Sequence, residues 1–235
     1  MILSVVATPI GNLKDVSERA REVLTEATLI VAEDTRTTGQ LLKLLHIEGK
    51  KEFVSSHAQS SENALQKALE RCREHEQIVL VTDAGTPAIS DPGSLFIHQF
   101  RTSYPEAAVV PIPGPSALIA ALSVSGFPGN HFEFIGFLPH KKGRQTLFEK
   151  IRDTEHTVIM YESPHRILKT LESLMQYIGD RPTMIGREMT KAFEEYPVGT
   201  AQTHLDYYST HPDKVRGEFV IVIAPRYHHP ESLIY

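Results

Sequence analysis

The chain has 235 residues, 41% of them hydrophobic and 23% charged, which is typical of a globular protein with one large or two small domains. Its formal net charge of −5 counts against a surface built throughout for nucleic acid, although a local basic cleft can exist on an acidic protein. The single cysteine, Cys72, excludes an intramolecular disulfide and a cysteine-based zinc cluster.

The apolar run at residues 2–7 predicts a buried first strand that ends at the turn 8–13. Apolar residues at helical spacing over 16–27 predict an amphipathic helix with Asp15 near its start. The first run is too short for a signal peptide and lacks its charged start, and no apolar stretch is long enough to cross a bilayer. We therefore expect a cytoplasmic enzyme or binding protein with no membrane partner.

The second predicted strand, 29–32, runs directly into Glu33, Asp34 and Arg36. Two carboxylates and an arginine at the carboxyl end of a parallel strand can contact a substrate or manage a proton. The same residues are equally consistent with a helix N-terminus whose acidic and threonine side chains cap the backbone.

Residues 53–54 predict a short third strand that leads to His57. His57 could act as a base, but a lone exposed histidine is more often incidental. The helix predicted at 62–73 carries Cys72 on its apolar face, so this thiol is expected in the core.

The apolar strand at 78–81 stops abruptly at a loop, 82–93, that is rich in Asp, Gly, Thr, Ser and Pro. Asp83 can accept hydrogen bonds from ligand hydroxyls or amines, while Gly85 and Gly93 permit positive φ or close approach of the backbone. An ordinary strand-to-helix connection would explain either half of the loop alone. Two rigid polar turns in series favour a ligand-binding loop.

A helix near 95–100 and a strand at 107–112 complete an alternation of strands and helices that predicts a doubly wound, largely parallel sheet in a first domain, 1–112. Three prolines and a glycine in 111–117 mark the domain boundary, after which Ser116 is expected to cap a helix. This segment is either a linker or a stiff wall beside the ligand-binding edge.

The second half predicts another α/β domain, 113–225, with a mixed sheet, followed by a tail, 226–235. Its predicted strands are 132–138, 157–161, 184–186 and 218–224, and its predicted helices are 117–124, 147–151, 167–177 and 201–208.

Charged residues follow several of these strands. A basic loop, 139–144, can hold phosphates without specifying a base, although a solvated charge run is the commoner explanation. Acidic, imidazole and guanidinium groups follow in 162–166, and a further charged segment occupies 187–191. This repetition suggests one polar cleft between the domains. The twelve histidines show no metal-binding spacing, so no metal is expected.

Motifs along nearly the whole chain resemble the tetrapyrrole-methylase-like superfamily and, within it, the ribosomal RNA small-subunit methyltransferase I family. In chain order they are 6–13 (VATPIGNL), 32–36 (AEDTR), 82–93 (TDAGTPAISDPG), 111–117 (PIPGPSA), 161–166 (YESPHR), 187–195 (REMTKAFEE) and 217–220 (GEFV).

The resemblance implies two α/β domains, a homodimer, and S-adenosylmethionine bound in the cleft between the domains. The implied reaction is 2′-O-methylation of a cytidine ribose in 16S ribosomal RNA, with the small ribosomal subunit as partner. By position, the implied cofactor-binding residues are Pro9, Ile10, Asp83, Thr86, Ile89, Ser116, Ala117 and Tyr161.

The implied substrate side contains Asp34, Arg36, Glu162, His165, Arg166 and Glu188. Our hypothesis is that Asp34 or Glu188 accepts the proton of the ribose hydroxyl and that Arg36 and Arg166 hold the flanking phosphates. Positioning could instead supply most of the rate, with no single essential base.

Two departures from the family pattern bear on substrate binding. The family usually has residues rich in His and Asn where this chain has 58–63, and it usually continues into a small helical region where only 226–235 follow here. Two alternatives therefore stay open: a methylase of a small tetrapyrrole, and a non-catalytic module that binds the cofactor or the ribosome.

Overall fold

A computed structural model describes residues 1–56 and 62–226, except for the side chain of Glu62. His57, most of the departure at 58–63 and nearly all of the predicted tail lie outside the described residues. The chain divides into two compact units, the first Met1–Ser116 and the second beginning at Ala117. The sequence prediction placed this boundary between Ile112 and Pro113.

The first unit contains a five-stranded parallel sheet with the order β3-β2-β4-β1-β5. Its strands are β1 (Ile2–Val6), β2 (Leu29–Ala32), β3 (Glu52–Ser55), β4 (Gln77–Val81) and β5 (Ala108–Ile112). Its helices are α1 (Glu18–Glu26), α2 (Thr35–Leu44), α3 (Glu62–Cys72) and α4 (Gly93–Ser103).

Alternating residues of β2 explain why this sheet needs helices on both faces. Leu29 and Val31 pack in one buried cluster with residues of α3 and α4, whereas Ile30 and Ala32 pack in another with residues of α1 and α2. Burying a large aliphatic side chain contributes about 1.5–3 kcal/mol, so strands that are apolar on both faces are stable only between two helical layers. Cys72 is buried, as predicted.

Asp15 lies near the start of α1 but outside the helix itself. It belongs to a separate turn of 3₁₀ helix, Leu13–Asp15. Ser17 caps α1 instead, because its hydroxyl oxygen accepts a hydrogen bond from the backbone N–H of Ala20 at 3.1 Å.

The second unit contains a mixed sheet with the order β6-β7-β10-β8-β9. Its strands are β6 (Phe132–Phe137), β7 (Thr157–Glu162), β8 (Thr183–Arg187), β9 (Val198–Gly199) and β10 (Phe219–Ile223). Strands β6 and β7 are parallel, and the other neighbours are antiparallel. The carboxyl ends of β6 and β7 therefore lie at the same edge of the sheet.

Within the described part of the second unit, the helices that cover the sheet are α5 (Ala117–Ser125), α6 (Arg144–Asp153), α7 (Ile167–Ile178) and α8 (Ala201–Thr210). Residues of α6, α7 and α8 share one buried cluster with the strands, and α5 contributes to another. The longest of the described helices, α7, has 12 residues, and none of them combines the length and apolar character that crossing a membrane requires.

Candidate functional site

Two backbone hydrogen bonds join the segments that follow β1 and β4 at the edge of the first sheet. Thr8 and Gly85 form an isolated antiparallel bridge in which the N–H of Thr8 donates to Gly85 O at 2.9 Å and the N–H of Gly85 donates to Thr8 O at 3.1 Å. Gly85 has a φ of +84°, and a Cβ there would lie 3.4 Å from the Ile10 side chain. The turn with Pro9 and Ile10 is thus held against the loop after β4.

Three carboxylates meet at this edge, after β2 and β4. The hydroxyl of Thr82 donates to Glu33 Oε2 at 2.6 Å, and the N–H of Asp34 donates to Asp83 Oδ1 at 3.1 Å. Partial burial and the nearby charges of Glu33 and Asp34 raise the pKa of Asp83. Asp83 nevertheless remains exposed, so its carboxylate can accept hydrogen bonds from a ligand.

Asp34 is both the N-cap of α2 and the partner of Arg36. Its Oδ1 accepts from the backbone N–H of Arg36 at 2.8 Å, and its Oδ2 lies 2.8 Å from Arg36 Nη2. These hydrogen bonds, the side-chain bond first, lower the pKa of Asp34 to about 2. The structure therefore shows Asp34 as a helix cap, and its role in substrate contact or proton transfer stays a prediction.

The loop after β4 is clamped by Asp91. Asp91 Oδ1 accepts from the N–H of Ala88 at 2.9 Å and from that of Gly93 at 2.7 Å, while Oδ2 is buried without a hydrogen-bond partner in the described structure. Ala88 and Ser90 adopt φ values of 71° and 66°, which side chains rarely adopt. A rigid, strained loop of this kind is common at ligand-binding sites.

Position 93 requires glycine because the Asp91 side chain lies close to its Cα. A Cβ there would lie 2.8 Å from Asp91 Oδ1. On the same loop, Thr86 donates to Pro115 O at 3.0 Å, which ties the loop to the segment that contains Ser116. Ile89 is 41% exposed and offers an apolar contact to a ligand.

In the second unit, Ala117 begins α5 and Tyr161 lies near the carboxyl end of β7. The Tyr161 ring makes edge contacts with Phe134 and Phe137, at 4.9 and 5.6 Å between ring centroids. Burial raises the pKa of Tyr161, so this phenol is neutral near neutrality. Its ring is held in a fixed position by these aromatic neighbours.

Glu162 and Arg166 form an internal network. Glu162, which is 2% exposed, accepts from the N–H of Ser163, from Arg166 Nε and from the hydroxyl of Thr170 at 2.7–2.8 Å. Arg166 Nη1 also donates to Leu138 O at 2.8 Å, which ties the loop after β7 to the end of β6. These two groups hold the local fold, whereas His165 is exposed between them.

Glu188 follows β8 in a strained conformation, with a φ of 49°. Its Oε1 accepts from Lys191 Nζ at 2.8 Å and from the N–H of Glu218 at 3.1 Å. Burial alone would raise the pKa of Glu188, but these hydrogen bonds outweigh burial and lower it. Like Asp34, Glu188 is a carboxylate that already has a cationic partner.

Arg187, predicted as part of the charged segment after the strand, is instead the last residue of β8 and is only 2% exposed. It pairs with Glu195 at 3.0 Å and donates to Phe193 O at 3.1 Å, so it organises the loop 188–195. No group of three metal-ligating side chains occurs in residues 1–56 and 62–226. The site assignments themselves stay predictions.

Residues 3–204 match the family described as Tetrapyrrole (Corrin/Porphyrin) Methylases. The chain is 44% identical over 225 residues to ribosomal RNA small subunit methyltransferase I of Synechocystis sp., covering 95% of this chain and 78% of that relative. It is 39% identical over 222 residues to the protein of the same name in Thermotoga maritima, covering 94% and 97%.

Solved structures share the fold at low sequence identity. Diphthine synthase superposes with a TM-score of 0.72 at 15% identity, covering 95% of this chain and 90% of that one. Uroporphyrin-III C-methyl transferase from Thermus thermophilus complexed with S-adenyl homocysteine superposes with a TM-score of 0.63 at 17% identity, covering 96% and 98%. These likenesses establish the tetrapyrrole-methylase-like α/β fold that the motifs predicted.

Proposed function

Because the chain belongs to the ribosomal RNA small subunit methyltransferase I family within the tetrapyrrole methylases, we propose that it methylates the 2′-hydroxyl of a cytidine ribose in 16S ribosomal RNA. Membership makes the protein an S-adenosylmethionine-dependent rRNA methyltransferase. The observation that carries the proposal is 39–44% identity to curated relatives over 94–95% of this chain.

The edge of the first sheet fits S-adenosylmethionine in its chemistry. The exposed Asp83 carboxylate can accept from hydroxyl or amino groups, and Ile89 can pack against an apolar part of the molecule. Pro9, Ile10 and Thr86 lie on the two segments joined by the bridge between Thr8 and Gly85. We propose these residues, with Ser116, Ala117 and Tyr161, as the cofactor-binding set.

The bound cofactor supplies a methyl group already activated by a sulfonium, so the chain must align the ribose oxygen and accept a proton. A ribose hydroxyl is a far weaker acid than either carboxyl group, and the pKa of Asp34 is about 2. A weak base helps only as the proton leaves in the transition state. We therefore propose that Asp34 or Glu188 orients the hydroxyl and takes its proton late.

The proposed partners are the small ribosomal subunit and a second copy of this chain. We also propose the cytoplasm as the location of this activity, because its substrate would be an rRNA. The homodimer follows from the family resemblance, and light scattering on the purified protein tests it. A dimer would have about twice the 26.3 kDa of one chain, and a single 26.3 kDa species at micromolar concentration would contradict this part.

Methyl incorporation from labelled S-adenosylmethionine into small ribosomal subunits that lack the modification tests the function. Naked 16S rRNA serves as the second substrate and a tetrapyrrole as the third, and nuclease mapping locates the label on RNA. Label on a cytidine 2′-O-methyl group is the expected result. Label on a tetrapyrrole alone would support the small-molecule alternative. Cofactor binding without transfer to any of these substrates would support the non-catalytic alternative.

A further inference from the structure

The edge of the second sheet where β6 and β7 end carries an excess of positive charge. We call the residues 139–144 and 163–166 the basic rim. With Glu162 at the end of β7, this region contains four cations, Lys141, Lys142, Arg144 and Arg166, and one carboxylate. The surplus contrasts with the net charge of −5 for the whole chain. A local positive field on an acidic protein marks a surface for a polyanion.

The donors of Arg166 are engaged inside the protein. Its guanidinium lies 2.7 Å from Glu162 Oε1 and donates to Leu138 O at 2.8 Å. Only 18% of its side chain is exposed. The structure therefore favours a scaffolding role for Arg166, and the other cations of the basic rim are the ones available to a phosphate.

Arg144 is fixed without an acidic partner of its own. Its Nη2 donates to the neutral hydroxyl of Thr170 at 2.9 Å, and its guanidinium lies 5.0 Å from the centre of the Phe148 ring. Among the described residues it forms no ion pair. Burial lowers the pKa of Arg144. The nearby carboxylate of Glu162 acts in the opposite direction, and the positive charge of Arg166 lowers the pKa further. An anion at the rim would neutralise this surplus.

Lys141 and Lys142 are exposed, and neither ammonium forms an ion pair within the described part of the chain. They lie in the turn before α6, at whose N-cap position Gly143 adopts a φ of +81°. The tie between Arg166 and Leu138 fixes the base of this loop. The two lysines are thus solvated cations on an anchored loop, which suits sequence-independent phosphate contacts.

The basic rim lies beside aromatic side chains, which favour a nucleic acid over other polyanions as its ligand. Phe137, the last residue of β6, is 55% exposed although it contacts the Tyr161 ring. Exposed aromatic rings beside cations bind single-stranded nucleic acids by stacking with bases. Tyr161 is one of the proposed cofactor-binding residues, so a strand held at this rim would pass close to that position.

We propose that the basic rim binds the sugar-phosphate backbone of the RNA substrate, with Lys141 and Lys142 as the principal phosphate contacts and Arg144 as a fixed cation beside them. This inference rests on the proposed rRNA methylation and adds the surface that holds the RNA. It also moves the phosphate-binding role away from Arg166, whose donors are occupied.

The test compares Lys141→Ala/Lys142→Ala with Lys43→Ala/Lys50→Ala. The second pair consists of exposed lysines of the first unit, and both variants have a formal charge of −7, from −5 minus 2. The probe is a 16S rRNA fragment, with binding and methylation measured at about 50–200 mM KCl. The rim variant should reduce the slope of log Kd against log salt by about 1.5, corresponding to two lost contacts. Its KM for RNA should rise while kcat and S-adenosylmethionine affinity stay unchanged.

The outcomes separate failure of this inference from failure of the proposed function. Equal slopes for wild type and both variants, with wild-type methylation intact, would overturn the phosphate role of the rim. Equal reductions of the salt slope in both variants would show that the effect comes from overall charge, and they would also overturn the phosphate role of the rim. Absence of RNA binding and methylation in the wild type would instead overturn the proposed function on which this inference rests.

Discussion

At the N-terminus of α2, the carboxylate of Asp34 is the acceptor for both the helix backbone and Arg36. Asparagine is as good an N-cap as aspartate, so Asp34→Asn should keep α2 while removing the proton acceptor. If Asp34 is the proton acceptor, the single-turnover methylation rate should fall by about a hundredfold, the lower end for loss of a general base. Rapid-quench assays at saturating RNA measure this rate.

Glu188→Gln, measured in parallel, decides between the two carboxylates. Because hydrogen bonding lowers the pKa of each, both stay ionised near neutrality, and the wild-type rate should not fall through their protonation between about pH 6 and 8. Full rates in both variants, with unchanged melting temperatures, would show that neither is the base. Positioning would then account for catalysis.

Single residues also show where prediction from sequence stops. The charged cluster at the end of β7 was recognisable, but Glu162 is bonded to Thr170, eight positions later on α7, and its partner Arg166 is bonded to Leu138 O just after β6. Pairing of this kind is a tertiary property. For Asp34, by contrast, the sequence was equally consistent with a helix cap and with an acid that acts on the substrate, because each interpretation needs only local residues.

The loop between β4 and α4 is the element whose shape matters most for the proposed cofactor. Asp91 Oδ1 holds the backbone N–H groups of Ala88 and Gly93, and this clamp stabilises the strained φ angles at Ala88 and Ser90. Asp91→Ala should release the loop. The released loop must then be ordered again when S-adenosylmethionine binds, and this cost should weaken the affinity by about tenfold, or about 1.4 kcal/mol. Isothermal titration calorimetry measures the change.

Asp91→Asn is the matched control because it retains one carbonyl oxygen that can accept the same hydrogen bonds. Its affinity should lie close to that of the wild type. Ala88→Gly, which relieves the positive φ, should also restore part of the affinity when combined with Asp91→Ala. Wild-type affinity in Asp91→Ala would mean that the loop keeps its shape without the clamp.

The sequence predicted most elements and a mixed second sheet, but not which strands of that sheet are neighbours. Apolar runs identified β7, β8 and β10, because a buried strand needs such residues whichever way its neighbours run. The antiparallel pairing of β10 with both neighbours is not encoded in those runs. Strand β9 has only two residues, which is too short for an alternation of apolar and polar residues to be detected.

At the scale of the whole molecule, carboxylates paired with cations make stability depend on pH. Glu52 of β3 illustrates this: its Oε1 lies 2.6 Å from Arg71 Nε and its Oε2 lies 3.3 Å from His75 Nε2. The hydrogen bond from Arg71 is the main cause that lowers the pKa of Glu52 from 4.5 to about 2. Asp153 and Glu195 also have lowered pKa values because of paired arginines.

A carboxyl group with a lowered folded-state pKa stabilises the protein fully above its unfolded-state value. As the pH falls through that value towards the folded-state one, the unfolded chain binds the extra proton and the stabilisation is lost. For Glu52 this window runs from 4.5 down to about 2. The free energy of unfolding should therefore decrease steadily on acidification below about pH 4.5, where several such groups act together.

Urea unfolding of wild type and Glu52→Gln between pH 7 and 3 tests the contribution of this residue. A third of the Glu52 side chain is exposed, so solvent screens its ion pairs and the variant should lose only about 1 kcal/mol at pH 7. Because the lost term depends on ionised Glu52, the difference between the two proteins should narrow as the pH approaches 3. A difference that stays constant over this range would assign the loss to packing or to a hydrogen bond that survives protonation.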